Sequence, residues 1–228
     1  MQRTPYPSDL TDAEWELIAP LVPPARPGGR PRTVDMREVV NGFVYVLRTG
    51  CPWRYLPHDP PPWQTCYMYF RRFCRQGVWE KMNENLRVEV RKREGRLPDP
   101  SGVIIDSQSV KTTEQRGSRG YDGAKHLCGR KRHIVVDTLG LLVWVWVHEA
   151  NIQDRAAGYT VLSWLSCWSK RLRVVWVDGG YSGALVKWTA QVAGLTVEVV
   201  KKRTGVGGAS GGFQVCRSAG LWRGHLRG

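Results

Sequence analysis

The chain has 228 residues, with 34 Lys and Arg against 20 Asp and Glu for a formal net charge of +14, and 42% of it is hydrophobic, including 11 tryptophans. That apolar content excludes a disordered chain, and the length suits one large domain or two ordinary ones. The longest apolar stretch, Leu139 to Val147, is broken by Gly140 and falls far short of the ~20 residues of a membrane span, and the first fifteen residues hold no apolar run of the kind a secretory signal carries. A cytoplasmic protein without membrane contact is expected. The six cysteines form no CxxC pair and no dense framework, as in a reducing compartment, and most are expected as small buried hydrophobes. The basic excess is spread along the chain, with six basic and no acidic residues over 201–228, and a sequence pI near 9.9 points to a polyanionic partner, because phosphate contacts release counterions.

In chain order, Thr11 and Glu14 form a capping box, and Trp15, Ile18 and Leu21 follow at helical spacing before Pro23 and Pro24 stop the element. A Gly/Pro linker at 25–32 leads to Asp35, an N-cap for a helix with Val39, Val40, Phe43, Val44 and Leu47 on one face and Gly50 as its stop. A third helix, Trp63 to Gln76, sets Cys66, Tyr69, Phe70 and Phe73 against Arg71, Arg72 and Arg75, and a fourth runs through Trp79, Met82, Leu86 and Val90 to Arg93. Helix, turn and helix with arginines on the later member is the layout of a major-groove reader, and equally of a small bundle with a solvated arginine face. Arg30 and Arg32 suit a minor groove or simply a proline linker.

At 96–102 the composition marks a boundary, and the period beyond it becomes strand-like. Val103 to Ile105 runs into Asp106; Arg132 to Val136 and Leu141 to Val147 flank a hairpin turn at 137–140; Asp154 caps a helix through Trp168; Val174 to Val177 ends in Asp178; Ser182 to Val192 is a helix and Thr196 to Val200 a strand. The order is βββαβαβ.

Two acids therefore share one setting, each closing a buried strand, at the edge where α/β sheets gather their ligands. Adjacent carboxylates suit a hard cation such as Mg²⁺ that keeps waters for substrate phosphates, and two such ions can clamp the attacking and leaving oxygens of phosphoryl transfer. Strand-terminal Asp residues also simply make turns. Between the acids, residues 111–133 carry seven Lys and Arg, suited to phosphate contacts. His126, Cys128 and His133 match no standard zinc spacing.

These residues resemble the bacterial insertion-sequence transposases of the DDE type, in the group named after insertion sequence five. The resemblance rests on YPSDLTDAEWELIAPLVP from Tyr6, VLRTGCPWRYLP from Val46, IIDSQSVK from Ile104, GYDGAKHLCGRKRHIVVDTLGLL from Gly120 and VDGGYSG from Val177. It implies an α/β fold in which an all-α, helix-turn-helix-like DNA-binding region (1–97) precedes an RNase H-like mixed sheet (98–204), ahead of a Gly-rich tail (205–228). It further implies Mg²⁺ (or Mn²⁺) as cofactor, a homo-oligomer acting in the nucleoid on double-stranded DNA, both terminal repeats and target, and catalysis of strand cleavage and transfer. Asp106 and Asp178 match the first two metal-binding acids; Lys111, Tyr121, Lys125, Arg130, Lys131 and His133 fall in a basic motif expected near DNA, beside the helical Arg71, Arg72 and Arg75. Asn151 and Asp154 match a polar pair after the third strand.

The chain departs from the family at its end. The family's third acid is a Glu on a helix beyond the last strand, whereas after Asp178 this chain has only Glu198, on a strand. Codons that can encode Cys216 to Gly228 read, one base out of frame, as Leu-Pro-Lys-Arg-Trp-Val-Val-Glu-Arg-Thr-Phe-Ala-Trp, the family's segment with its Glu. A one-base deletion near the Val215 codon accounts for this, and the chain is expected to be inactive, with a non-catalytic remnant occupying element ends as the alternative to a working transposase.

Overall fold

The computed structural model describes residues 3–25, 27–28, 31–59, 61–112 and 117–200; the expectations about Arg30 and the tail at 205–228 fall outside them. The chain divides into two compact units, 1–90 and 91–228.

In the first unit, Thr11 caps α1 (Asp12–Ile18) through the reciprocal bonds with Glu14, and the chain then tightens into a 3₁₀ turn through Leu21. Asp35 accepts from the Arg37 amide to start α2 (Met36–Thr49), and Gly50 ends it at φ 67°, a left-handed geometry that glycine adopts without steric cost. The buried face of α2 packs on α3 (Trp63–Arg75), where Gly42 matters: a Cβ there would sit 2.9 Å from Cys66 Sγ, so only glycine lets the helices approach this closely. Phe43 is the hub of this core, with edge-on contacts to Trp53, Phe70, Phe73 and Trp79 at centroid distances of 5.5 to 6.4 Å. The chain leaves this unit along α4 (Val78–Arg93).

The second unit is built on a six-stranded sheet ordered β2-β3-β1-β5-β6, with β4 also paired to β3. Its strands are β1 (Gly102–Lys111), β2 (Gly120–Asp122), β3 (Leu127–Asp137), β4 (Leu142–Glu149), β5 (Val174–Val177) and β6 (Thr196–Val199). Strand β1 is central: antiparallel to β3 on one side and parallel to β5 on the other. Val103, Ile105, Val135, Val175, Val177 and Val197 form one buried cluster with Val161, Leu162 and Leu165 of α5 (Asp154–Trp168) and Leu185 of α6 (Ala184–Trp188). Trp144 of β4 stacks on Trp164 of α5 at 4.4 Å, 8° from parallel.

Four expectations change. Strand β1 continues past Asp106 to Lys111, because polar residues extend a ladder perfectly well when a long partner strand is in register: Ser107 to Lys111 pair with His133 to Gly129. Strand β2 is an extra element, three residues long and too short to leave a period. The N-cap of α5 is Gln153, and Asp154 is the first residue of the helix. Only Cys66 is buried among the five described cysteines, all free; Cys74, Cys128 and Cys167 are exposed because their helix and strand phases face outward.

One buried ion pair joins the start of the second unit to its sheet. Arg91 Nη1 meets Asp137 Oδ2 at 2.5 Å, Arg91 Nε donates to the Leu97 carbonyl, and Asp137 Oδ1 accepts from the amides of Leu139 and Leu141, closing the β3–β4 turn. Both side chains are at most 5% exposed. Arg91→Met would strand the Asp137 charge, and a loss of about 3–5 kcal/mol is expected from urea unfolding; a change below about 1 kcal/mol would show that the pair does not anchor the turn.

A candidate carboxylate site and its basic surround

The parallel ladder of β1 and β5 runs from Gly102↔Val174 to Ile105↔Val177 and stops there. Asp106 and Asp178 are the next residues of these two strands, so they are neighbours across one strand spacing of ~4.8 Å. Asp106 is exposed and its Oδ1 accepts from the Ser107 amide at 2.8 Å. Asp178 leaves the sheet: its Oδ1 accepts from the Gly180 amide at 3.0 Å and caps the 3₁₀ turn Gly179–Tyr181, so it makes a turn as well as joining the pair. Burial pushes the Asp178 carboxyl above its ordinary value; the Gly180 N–H opposes this, the charges of Asp154 and Asp106 add to it, and Lys125 lowers it.

Asp154, expected as a helix cap and as one of a polar pair with Asn151, also lies beside Asp178. A Cβ at Gly180 would lie 3.1 Å from both Asp154 Oδ2 and Asp178 Oδ1, so a bare glycine keeps the space between two carboxylates open. Asp154 Oδ1 is buried and completes no hydrogen bond, although the Lys131 ammonium stands 3.2 Å away. Lys131 Nζ donates instead to the Ile152 carbonyl at 3.0 Å, and lies 3.6 Å from Asp122. The hydrogen bond from Ser109 Oγ, first among several, holds the Asp122 carboxyl below its usual range. The available signal was the pair of glycines after Asp178, which leaves room for a neighbour.

Strand alternation sorts the basic motif. Along β3, Lys131 and His133 are buried, while Arg130 is half-buried and Arg132 exposed. Lys131 and His133, expected near DNA, thus have interior side chains; a period of two applied to GRKRH would have separated the two pairs. Lys111, Tyr121 and Lys125 are exposed, with the Tyr121 hydroxyl 3.2 Å from His126 Nδ1. In the first unit, Arg71 and Arg75 are exposed on α3 and Arg72 is half-buried; Arg71 lies over the Tyr67 ring at 5.8 Å and Arg72 over Tyr69 at 5.2 Å.

Behind the acids, Tyr181 and His133 are fully buried. One set of neutral tautomers satisfies every contact: Tyr181 O–H donates to His133 Nδ1, His133 Nε2–H donates to His148 Nε2 at 2.8 Å, and His148 Nδ1–H donates to the Glu149 carbonyl at 2.6 Å. Burial foremost, with His148 and Lys131 adding and Asp154 opposing, pushes His133 down from 6.5 to about 4. Burial and then the charges of Asp154, Asp178 and Asp106 push the Tyr181 hydroxyl up. Glu198 is engaged elsewhere, accepting from Trp176 Nε1 at 2.8 Å.

The sequence matches transposases of the IS4/5 family over residues 10–83 and the transposase DDE domain over residues 97–205. It is 33% identical over 110 residues to the insertion element IS402 uncharacterized 16.2 kDa protein of Burkholderia cepacia, covering 45% of this chain and 72% of that one. It is 26% identical over 117 residues to the uncharacterized protein y4sN of Sinorhizobium fredii, covering 51% and 87%. Among solved structures, a Mos1 transposase paired-end complex with left transposon end aligns with a TM-score of 0.30 and 11% identity over 77% of this chain and 61% of that one. The chain belongs to the DDE transposases of bacterial insertion sequences, and its mixed sheet lies within the residues that match the DDE domain.

Because His133 is held neutral in the fold and titrates near 6.5 when unfolded, the unfolded chain takes up the extra proton as pH falls. The stability this group contributes is complete above about pH 6.5 and declines towards about pH 4. Urea midpoints across this range should fall more steeply for the wild type than for His133→Gln; equal slopes would mean that His133 is not held neutral.

Proposed function

We propose that this chain is a transposase derivative that binds double-stranded DNA at the ends of its element and is arrested before strand cleavage. The observation that carries the reading is the adjacency of Asp106 and Asp178 at the end of the β1–β5 ladder, in a chain whose only later acid, Glu198, is bonded to Trp176. In this reading Arg71, Arg72 and Arg75 of α3 contact element-end DNA, Lys111, Tyr121, Lys125 and Arg130 contact DNA beside the carboxylates, and the protein works as a homo-oligomer in the nucleoid. Among the described residues no helix is long and apolar enough to cross a membrane.

The donor set suits Mg²⁺ or Mn²⁺. Asp106 and Asp178 offer hard oxygens, Gly180 leaves space between Asp154 and Asp178, and a cation would offset the charges of Asp154 and Asp106, which add to the burial that raises the Asp178 carboxyl. Among the described residues no three His, Cys, Asp or Glu side chains converge to cage a metal, and Mg²⁺ is commonly held by one or two carboxylates with waters and substrate phosphates completing its shell. When bound, the ion would polarise a phosphoryl oxygen and activate water. The protein's own part is to hold Asp106 and Asp178 at fixed separation and to anchor the DNA. Loss of the family's third carboxylate leaves that arrangement incomplete.

The closeness of Asp154 to Asp178 favours one second reading, residual metal-dependent nicking. A supercoiled plasmid carrying this gene with its flanking DNA should stay intact in Mg²⁺ or Mn²⁺ while the protein binds it; nicking that Asp106→Ala abolishes would overturn the arrested reading in favour of the second. Mn²⁺ titration followed by electron paramagnetic resonance should show Asp106→Asn and Asp178→Asn weakening the ion by about tenfold or more, and wild-type affinity in both would remove these residues from the site.

A further inference from the structure

We infer that Arg132, oriented by Gln108, is an anchor for a DNA backbone phosphate beside the carboxylate pair. The inference rests on the DNA-binding reading and adds a residue that the motif-based expectation omitted. Asp106 pairs with Ile134 and Gln108 with Arg132, so Arg132 stands one same-face step from the level of Asp106, about 7 Å along the sheet. Val110 and Arg130 form the next pair outward, which makes Arg132 the nearest cation to Asp106 on this face of β3 by register.

The Arg132 guanidinium is held by an amide rather than neutralised by an acid. Gln108 Oε1 accepts from Arg132 Nε at 2.8 Å and also from Nη2. Arg3, Arg37 and Arg91, by contrast, each meet a carboxylate, and no ion pair involves Arg132 among the described residues. An arginine has five N–H donors, and this contact takes two, leaving three on an exposed group with its full charge. Fixing the planar fork beforehand lowers the side-chain ordering lost on binding, and a guanidinium suits the two oxygens of a phosphate. The position has a second consequence: two adjacent aspartates repel a polyanion, and a fixed cation one step away offsets this locally.

The test uses the full chain and a short DNA duplex, with affinity followed over about 50 to 200 mM salt and folding checked by thermal melting. Arg132→Gln and Arg132→Ala should each reduce the magnitude of the slope of log affinity against log salt by about 0.9, one phosphate contact. Gln108→Ala, which leaves the charge in place, should keep the slope and weaken binding severalfold, a pattern that charge alone would not produce. Wild-type slope and affinity in both Arg132 variants, with Arg71→Ala/Arg75→Ala impaired, would overturn this inference and leave the DNA-binding reading standing. Wild-type affinity in Gln108→Ala would overturn the orienting role. A wild-type protein without salt-sensitive DNA binding would overturn both readings.

Discussion

The parallel pairing of β1 with β5 is the constraint on which the site depends. Its last rung is Ile105↔Val177, both buried, and the apolar burial that fixes this register sets the residue that follows each of them at the same level. A slip of one residue would turn Asp106 or Asp178 to the other face of its strand and bring a core valine or isoleucine into water. Hydrophobic packing under α5 and α6 is therefore what brings two like charges together, against their own repulsion.

That repulsion shapes the surrounding residues. Asp154 adds a third negative charge near Gly180, and the ammonium of Lys131, which is almost completely buried, stands between Asp154 and Asp122 while donating to the Ile152 carbonyl. Lys131 thus joins the start of α5 to β3 and to the turn after β2, and removing it would leave two partly desolvated carboxylates uncompensated. Tyr181 and His133 are neutral chiefly because they are buried: a proton on His133 would be desolvated, with the charge of Asp154 opposing only in part, and a deprotonated Tyr181 would also add charge to a negative site. The interior side of the site is a neutral hydrogen-bonded chain ending at a backbone carbonyl.

Much of this was legible in the sequence. The capping box at Thr11, the Asp35 cap and Gly50 stop, and the apolar runs ending at Ile105 and Val177 are local signals, and each governs the structure where it occurs. What escaped depends on partners distant in sequence. Strand β1 continues through polar residues because β3 pairs with them, and Asp154 joins the acids because α5 begins beside Gly180. The division of Arg130 and Arg132 from Lys131 and His133 was available from alternation alone, but a cluster of basic residues reads as one patch until a strand is assigned to it.

Binding and chemistry make different demands on such a protein. DNA affinity arises from many phosphate contacts that contribute nearly independently, so in the proposed reading the loss of any one of Arg71, Arg75, Lys111, Lys125 or Arg132, all exposed, would weaken binding gradually. Strand cleavage depends on two ions held simultaneously at fixed separation, and removing one carboxylate affects both. In the proposed reading, with Glu198 bonded to an indole, strand cleavage is the property that fails abruptly, while the basic residues suit the one that fails gradually. Occupying element ends without cutting them, as proposed, would be the physical consequence of that asymmetry, and such a protein would compete with any intact transposase that reads the same ends.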